Sequence, residues 1–162
     1  MAENTMQRTV VVNGTGSSTR QEIQVGPFSL VADVGPELGG KDTAPNAYDL
    51  LMASLGACTS MTIGHFARLK GIQVDGIRVT LNHASVYASE CQHCETKSGT
   101  IEKLTREIEL VGPLTEDQRQ FLLAMARKCP VSQVLTHQLN HEVLLVTELV
   151  PSASSTGPSA TA

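Results

Sequence analysis

From Leu50 to Ala67 the chain runs for eighteen residues without an Asp, Glu, Lys or Arg. A run of this length and apolarity must be buried, either in a lipid bilayer or inside a protein core. Ser54, Gly56, Thr59, Ser60, Thr62, Gly64 and His65 interrupt it. They favour a core helix over a membrane span. Asn46 can cap its start and Gly71 can stop it, which predicts a helix over Ala47–Lys70. Gly56, Ser60 and Gly64 recur every four residues and form a smooth stripe. Such a stripe predicts close packing against a second long helix, a dimer-related copy being one candidate.

The rest of the chain must cover this helix with little aromatic bulk. Aromatic residues are 3% of the 162 positions and Trp is absent, while hydrophobic residues reach 41%. The core therefore falls to Leu, Val, Ile, Ala and Met. Strands are expected at Arg8–Val12, Gln21–Val25, Phe28–Asp33, Gly76–Val86, Ile101–Leu110 and His141–Glu148. Gly26-Pro27 makes a hairpin of the second and third. The fifth alternates Leu104, Ile108 and Leu110 against Glu107 and Glu109. Thr115 and Gln118 form a capping box for a helix that buries Phe121, Leu122 and Met125. Pro130 disfavours a helical Cys129 and opens a short helix to about Gln138. The order is β-β-β-α-β-β-α-α-β, an α+β domain over residues 7–149. Residues 1–6 and the Pro/Ser/Ala/Thr tail 150–162 are expected to be disordered.

A formal net charge of −4 argues against nucleic acid or an anionic membrane as partner. The first eight residues lack a basic segment followed by an apolar core, so a cytoplasmic location is expected. In such a reducing compartment the four cysteines are candidates for catalysis, metal binding or plain core positions rather than structural bridges. Cys58 lies inside the apolar helix, where a thiol can be a small hydrophobe and nothing more. Cys129 stands at the Pro130 helix entrance, where a thiolate is favoured, although an idle capping thiol would look the same. If the fold joins the two sulfurs, the chain carries a dithiol redox centre.

Three segments together resemble the osmotically inducible protein C and organic hydroperoxide resistance (OsmC/Ohr) family. They are Gly39-Gly40-Lys41-Asp42, the stretch Tyr48-Asp49-Leu50-Leu51-Met52-Ala53-Ser54-Leu55-Gly56-Ala57-Cys58-Thr59, and Lys128-Cys129-Pro130-Val131. The likeness covers roughly Arg20 to Glu148 and is greatest to the OsmC-like branch with a Pro/Tyr-Asp-Leu-Leu stretch here. It implies antiparallel sheets around a long buried central helix, in an intertwined homodimer with active sites near the subunit interface. It also implies a peroxidase of organic hydroperoxides without a cofactor, with Cys58 peroxidatic and Cys129 resolving. Cys58 would become a sulfenic acid, Cys129 would close a disulfide, and an external thiol or dithiol would reset the pair. The family's arginine, six residues before a hairpin glycine, falls on Arg20; a solvated strand-end arginine is the alternative. Its partner glutamate, ten residues before the peroxidatic cysteine, is Tyr48 here, with Asp49 one residue later. Asp49 could pair with Arg20 or serve only as a first-turn acid of the helix.

Cys91 and Cys94 form a CxxC between two strands. No helix starts there, as a thioredoxin-type site requires, and zinc needs two more ligands. His83, His93 or a second chain's CxxC could supply them, making a zinc-stabilised binding module. An auxiliary redox pair and an exposed loop without a role are the other readings. A redox sensor built on Cys58 and Cys129 is a further alternative to the enzyme. His65, His137 and His141 show no ligand spacing.

Overall fold

The computed structural model describes residues 8–90, 98–137 and 142–145. Strands β1 (Val10–Asn13), β2 (Gln21–Val25) and β3 (Phe28–Ala32) form an antiparallel sheet in that order. Helix α1 spans Ala47–Lys70, followed by the long hairpin β4 (Gly76–Tyr87) and β5 (Thr100–Val111). Helices α2 (Glu116–Ala126) and α3 (Pro130–Thr136), with short 3-10 turns at Pro36–Leu38 and Ala88–Glu90, complete the described elements. Half of the expected last strand, His141–Glu148, lies outside the described residues. Glu142–Leu145, the four residues described within it, carry no strand. Both expected disordered termini also lie outside the described residues.

Each boundary of α1 has a local cause. The Asn46 side chain accepts from the Asp49 N–H at 3.1 Å, and the Asp49 carboxylate accepts from the Asn46 N–H at 2.9 Å. This capping box satisfies donors that the first turn leaves orphaned. At the other end Gly71 takes φ 63° and donates to the Ala67 and Arg68 carbonyls. The left-handed conformation suits glycine and ends the helix there.

Helix α1 packs on β4, α2 and α3. Its covered row is Leu55, Thr59, Ile63 and Ala67, one residue per turn, with Gly56 beside it. Ile63, Ala67, Leu122 and Ala126 are the buried core, flanked by Ile77, Ile108, Leu110 and Phe121. Within the protomer, two glycines of the stripe, Gly56 and Gly64, approach a strand. A Cβ at Gly56 would crowd Leu81 of β4, and one at Gly64 would touch Ile77. Nor is the helix buried all round in one protomer, for Met61 on its outer side is 73% exposed. The β1–β3 sheet likewise leaves Val10, Val11, Val12, Phe28 and Leu30 exposed.

The segment between β3 and α1 is organised by Asp33, which is 3% exposed. Five donors surround its carboxylate: the Thr19 hydroxyl, the Thr43 hydroxyl, and the N–H groups of Val34, Lys41 and Thr43. To deliver them the chain doubles back through Gly39, at φ 80°, and Gly40. A Cβ at Gly40 would fall on the Val34 carbonyl, so the paired glycines are a steric requirement of this loop.

Candidate active site

Cys58 is carried on the outer side of α1 and is partly exposed, while Cys129 is 0% exposed at the entrance of α3. Pro130 keeps Cys129 out of the helix, at φ −53° and ψ 123°. Both thiols are free, and they lie near enough for each to shift the ionisation of the other. The fold thus brings the two cysteines into one neighbourhood within one protomer.

Cys58 opens into a cavity of about 560 Å³. Ala57, Met61, Phe66, Pro130 and Val131 give it apolar walls, with Ser54, Thr62, His65 and Lys128 also lining it. A ligand in this hollow meets Cys58 first and has no direct path to the sulfur of Cys129.

The two thiols titrate differently. Burial pushes the Cys58 thiol up, and the neighbouring Cys129 raises it further, against an N–H from Val131. Burial also works against ionisation of Cys129, but donors outweigh it and its pKa is lowered on balance. Those donors are the Cys58 thiol, the N–H groups of Ser132 and Val131, and the Thr59 hydroxyl. Cys129 is therefore the more acidic thiol of the two.

Three side chains that the sequence reading passed over complete this centre. Arg106 of β5 donates from Nη1 to Thr59 Oγ1 at 2.9 Å and from Nη2 to Ser132 Oγ at 3.2 Å. Thr59 in turn donates to the Leu55 carbonyl at 2.7 Å. A signal was present in the sequence: Arg106 falls in phase with Leu104, Ile108 and Leu110, on the face that packs.

Arg20 is not part of this constellation in one protomer. It is exposed on the N-terminal sheet, lines hollows with Glu22 and Asp33, and donates to Thr43 Oγ1 at 3.4 Å. Asp49 is engaged in the α1 capping box, and among the described residues it makes no ion pair with Arg20. Tyr48, at the position of the family glutamate, stacks on His83 with ring centroids 4.5 Å apart. His83 is hydrogen-bonded to Glu102. Cys91, Cys94, His93 and His141 lie outside the described residues. Among the described residues no cluster of three or more His, Cys, Asp or Glu could hold a metal ion.

Residues 40–143 match the model of the family described as OsmC-like protein. The chain belongs to that family. Solved structures share its fold. An organic hydroperoxide resistance protein OsmC from Legionella pneumophila is 23% identical, with a TM-score of 0.62 over 83% of this chain and 92% of its own. A putative osmotic stress induced and detoxification response protein from Psychrobacter arcticus 273-4 is 20% identical, with a TM-score of 0.63 over 82% and 91%. OhrB of Bacillus subtilis, an organic hydroperoxide resistance protein, is 18% identical with a TM-score of 0.57 over 81% and 91%. No curated protein matches the chain. Identities this low carry the architecture to the family member described here, and its chemistry has to be argued from its own residues.

Proposed function

We propose that this OsmC-family protein is a thiol-dependent peroxidase that reduces organic hydroperoxides through Cys58 and Cys129. The observation that carries the reading is a partly exposed thiol in an apolar cavity, beside a buried thiol of lowered pKa. With Cys129 as the thiolate, the Cys58 proton shifts to it, and the freed Cys58 thiolate attacks the outer peroxide oxygen. The O–O bond breaks, the alkoxide takes the proton back from Cys129, and alcohol leaves with Cys58 as a sulfenic acid. The Cys129 thiolate then attacks the Cys58 sulfur, hydroxide departs, and a disulfide forms. An external thiol or dithiol restores the pair by exchange. Sulfur carries both electrons, so no cofactor takes part. Walls formed by Ala57, Met61, Phe66 and Val131 favour an alkyl or lipid chain over hydrogen peroxide.

A homodimer belongs to the same proposal. The exposed valines of β1, Phe28 of β3 and Met61 beside the cavity leave apolar surface that a second copy would cover. Arg20 lies on that N-terminal sheet, from which it would reach a partner's cavity and stabilise charge developing on the peroxide. Peroxide consumption with a dithiol donor tests the reading. Wild type should turn over, Cys58→Ser should be inactive, and Cys129→Ser should stop after one equivalent with a trappable sulfenic acid. Equal turnover by wild type and Cys58→Ser excludes the mechanism.

A further inference from the structure

Arg106 occupies a position that strand alternation reserves for an apolar side chain. Removing a guanidinium from water is costly unless its donors are used. Here both partners are hydroxyls, and among the described residues no carboxylate is in ion-pair reach of it. Those hydroxyls are not arbitrary. Thr59 follows Cys58 on α1, and Ser132 lies three residues past Cys129 on α3. The Thr59 hydroxyl that accepts from Arg106 also favours the Cys129 thiolate, so one side chain links the guanidinium to the inner sulfur. Among the described residues, His65 and Lys128 are the other charged or titratable groups at the cavity, on the Cys58 side.

We propose that Arg106 is a positioning residue of the dithiol, pinning the helix of Cys58 to the helix that begins at Cys129 through Thr59 and Ser132. The fork geometry is essential. Two nitrogens of one planar group reach two helices at once, while a lysine ammonium is a point charge that can serve one of them well. By holding the Thr59 hydroxyl, which favours the Cys129 thiolate, the guanidinium also supports ionisation of the inner sulfur. Arg106 therefore governs ring closure, the step in which one sulfur must meet the other in line. This rests on the dithiol reading of the site, but not on a hydroperoxide as the oxidant.

Disulfide closure can be driven without peroxide by diamide. One thiolate adds to its N=N bond, and the second attacks the sulfur of the resulting S–N bond. The disulfide forms, and the azo compound leaves as the hydrazine with two electrons and two protons. Closure is followed by quenched alkylation and mass spectrometry in the full-length wild type, Arg106→Gln, Arg106→Lys and Ser132→Ala. Arg106→Gln should slow closure about 10- to 100-fold, as loss of alignment does. Arg106→Lys should fall between it and wild type. The pH at which closure is half-maximal should rise in Arg106→Gln and stay in place in Arg106→Lys. Ser132→Ala should slow closure less and add nothing to Arg106→Gln in the double variant. Unchanged closure in Arg106→Gln, or fully additive losses with Ser132→Ala, overturns the proposal. If Arg106→Gln does not fold, an unslowed Ser132→Ala overturns it alone. A wild type that closes with diamide yet ignores cumene hydroperoxide removes the peroxidase reading and leaves the role of Arg106 intact.

Discussion

Thr59 is a polar residue in the middle of the apolar row of α1, and replacing it by valine separates two accounts of that row. If the row were only core, Thr59→Val would stabilise the protein, since a buried methyl contributes about 0.8 kcal/mol. The hydroxyl, however, accepts from the Arg106 guanidinium at 2.9 Å. A hydrogen bond to a charged group contributes about 1.5–3 kcal/mol, and its loss leaves a half-buried donor without this partner. The Leu55 carbonyl that receives the Thr59 hydroxyl is less affected, because the helix ladder also uses it. The net expectation is destabilisation by about 1–2 kcal/mol, a fall in Tm of about 2–8 °C for a chain of this size. Thr59→Ser keeps the oxygen and loses a methyl, so it serves as the control. Thermal melts at fixed protein concentration give the stability, and ultraviolet thiolate absorbance against pH gives the Cys129 titration. In Thr59→Val the Cys129 midpoint should move up, because the hydroxyl that favours its thiolate has gone. In Thr59→Ser it should not move. A Thr59→Val protein at least as stable as wild type, with Cys129 titrating unchanged, refutes the network.

Leu122 is completely buried between α2 and α1, and Leu122→Ala should cost about 2–5 kcal/mol in a denaturant melt. The two thiols should answer each other: Cys129→Ser should lower the Cys58 pKa, since its neighbour raises it, and Cys58→Ala should raise that of Cys129, both readable as ultraviolet thiolate absorbance. Hydrogen bonds, those from Thr19 and Thr43 foremost, hold the Asp33 carboxyl well below the ordinary carboxylate range. Because its folded pKa is depressed, its contribution is complete above the unfolded value near ~4 and is lost as pH falls below it. Asp33→Asn should therefore be less stable than wild type at neutral pH, with the gap closing in acid melts. Gly71→Ala should cost about 1 kcal/mol, because alanine is strained at φ 63° although space is free around it.

Local signals were legible where one segment decides its own conformation. Asn46, Gly71, Thr115 with Gln118, and Pro130 set helix ends through bonds to their own neighbours, and the structure has those ends. Period-two alternation placed β4 and β5 to within a residue or two. What was not legible depends on partners far along the chain. The glycine stripe announced a close neighbour but could not say that β4 would be that neighbour. Asp33 ends a strand in sequence, and only the fold of the Gly39-Gly40 loop turns five donors onto it. Arg106 was visible as a charge on an apolar face, yet its two hydroxyl partners lie 47 and 26 residues away. The cysteine pairing was likewise a long-range matter, expected from a family resemblance and reached in space by α1 and α3.

The site divides into two parts with different structural origins. Everything that aligns the sulfurs comes from one protomer's body: α1 brings Cys58 and Thr59, the α3 entrance brings Cys129 and Ser132, and β5 brings Arg106. Arg20 comes from the β1–β3 sheet, whose apolar side chains are exposed in that same protomer. Dithiol chemistry and peroxide activation should therefore separate experimentally. Substituting Arg20 by alanine should slow the hydroperoxide step by about 10-fold or more, as loss of an electrostatic donor does, while leaving diamide-driven closure at the wild-type rate. If the proposed homodimer supplies Arg20 from the partner, dilution into monomer should reproduce the Arg20→Ala phenotype, since it would remove the same cation without touching the sulfurs. Single-turnover sulfenic acid trapping across protein concentration measures this directly. A peroxide step that is independent of both Arg20 and protein concentration would mean that the protomer's own cavity activates the peroxide. His65 and Lys128, its two other lining groups with a proton to place, would then inherit the task assigned to Arg20.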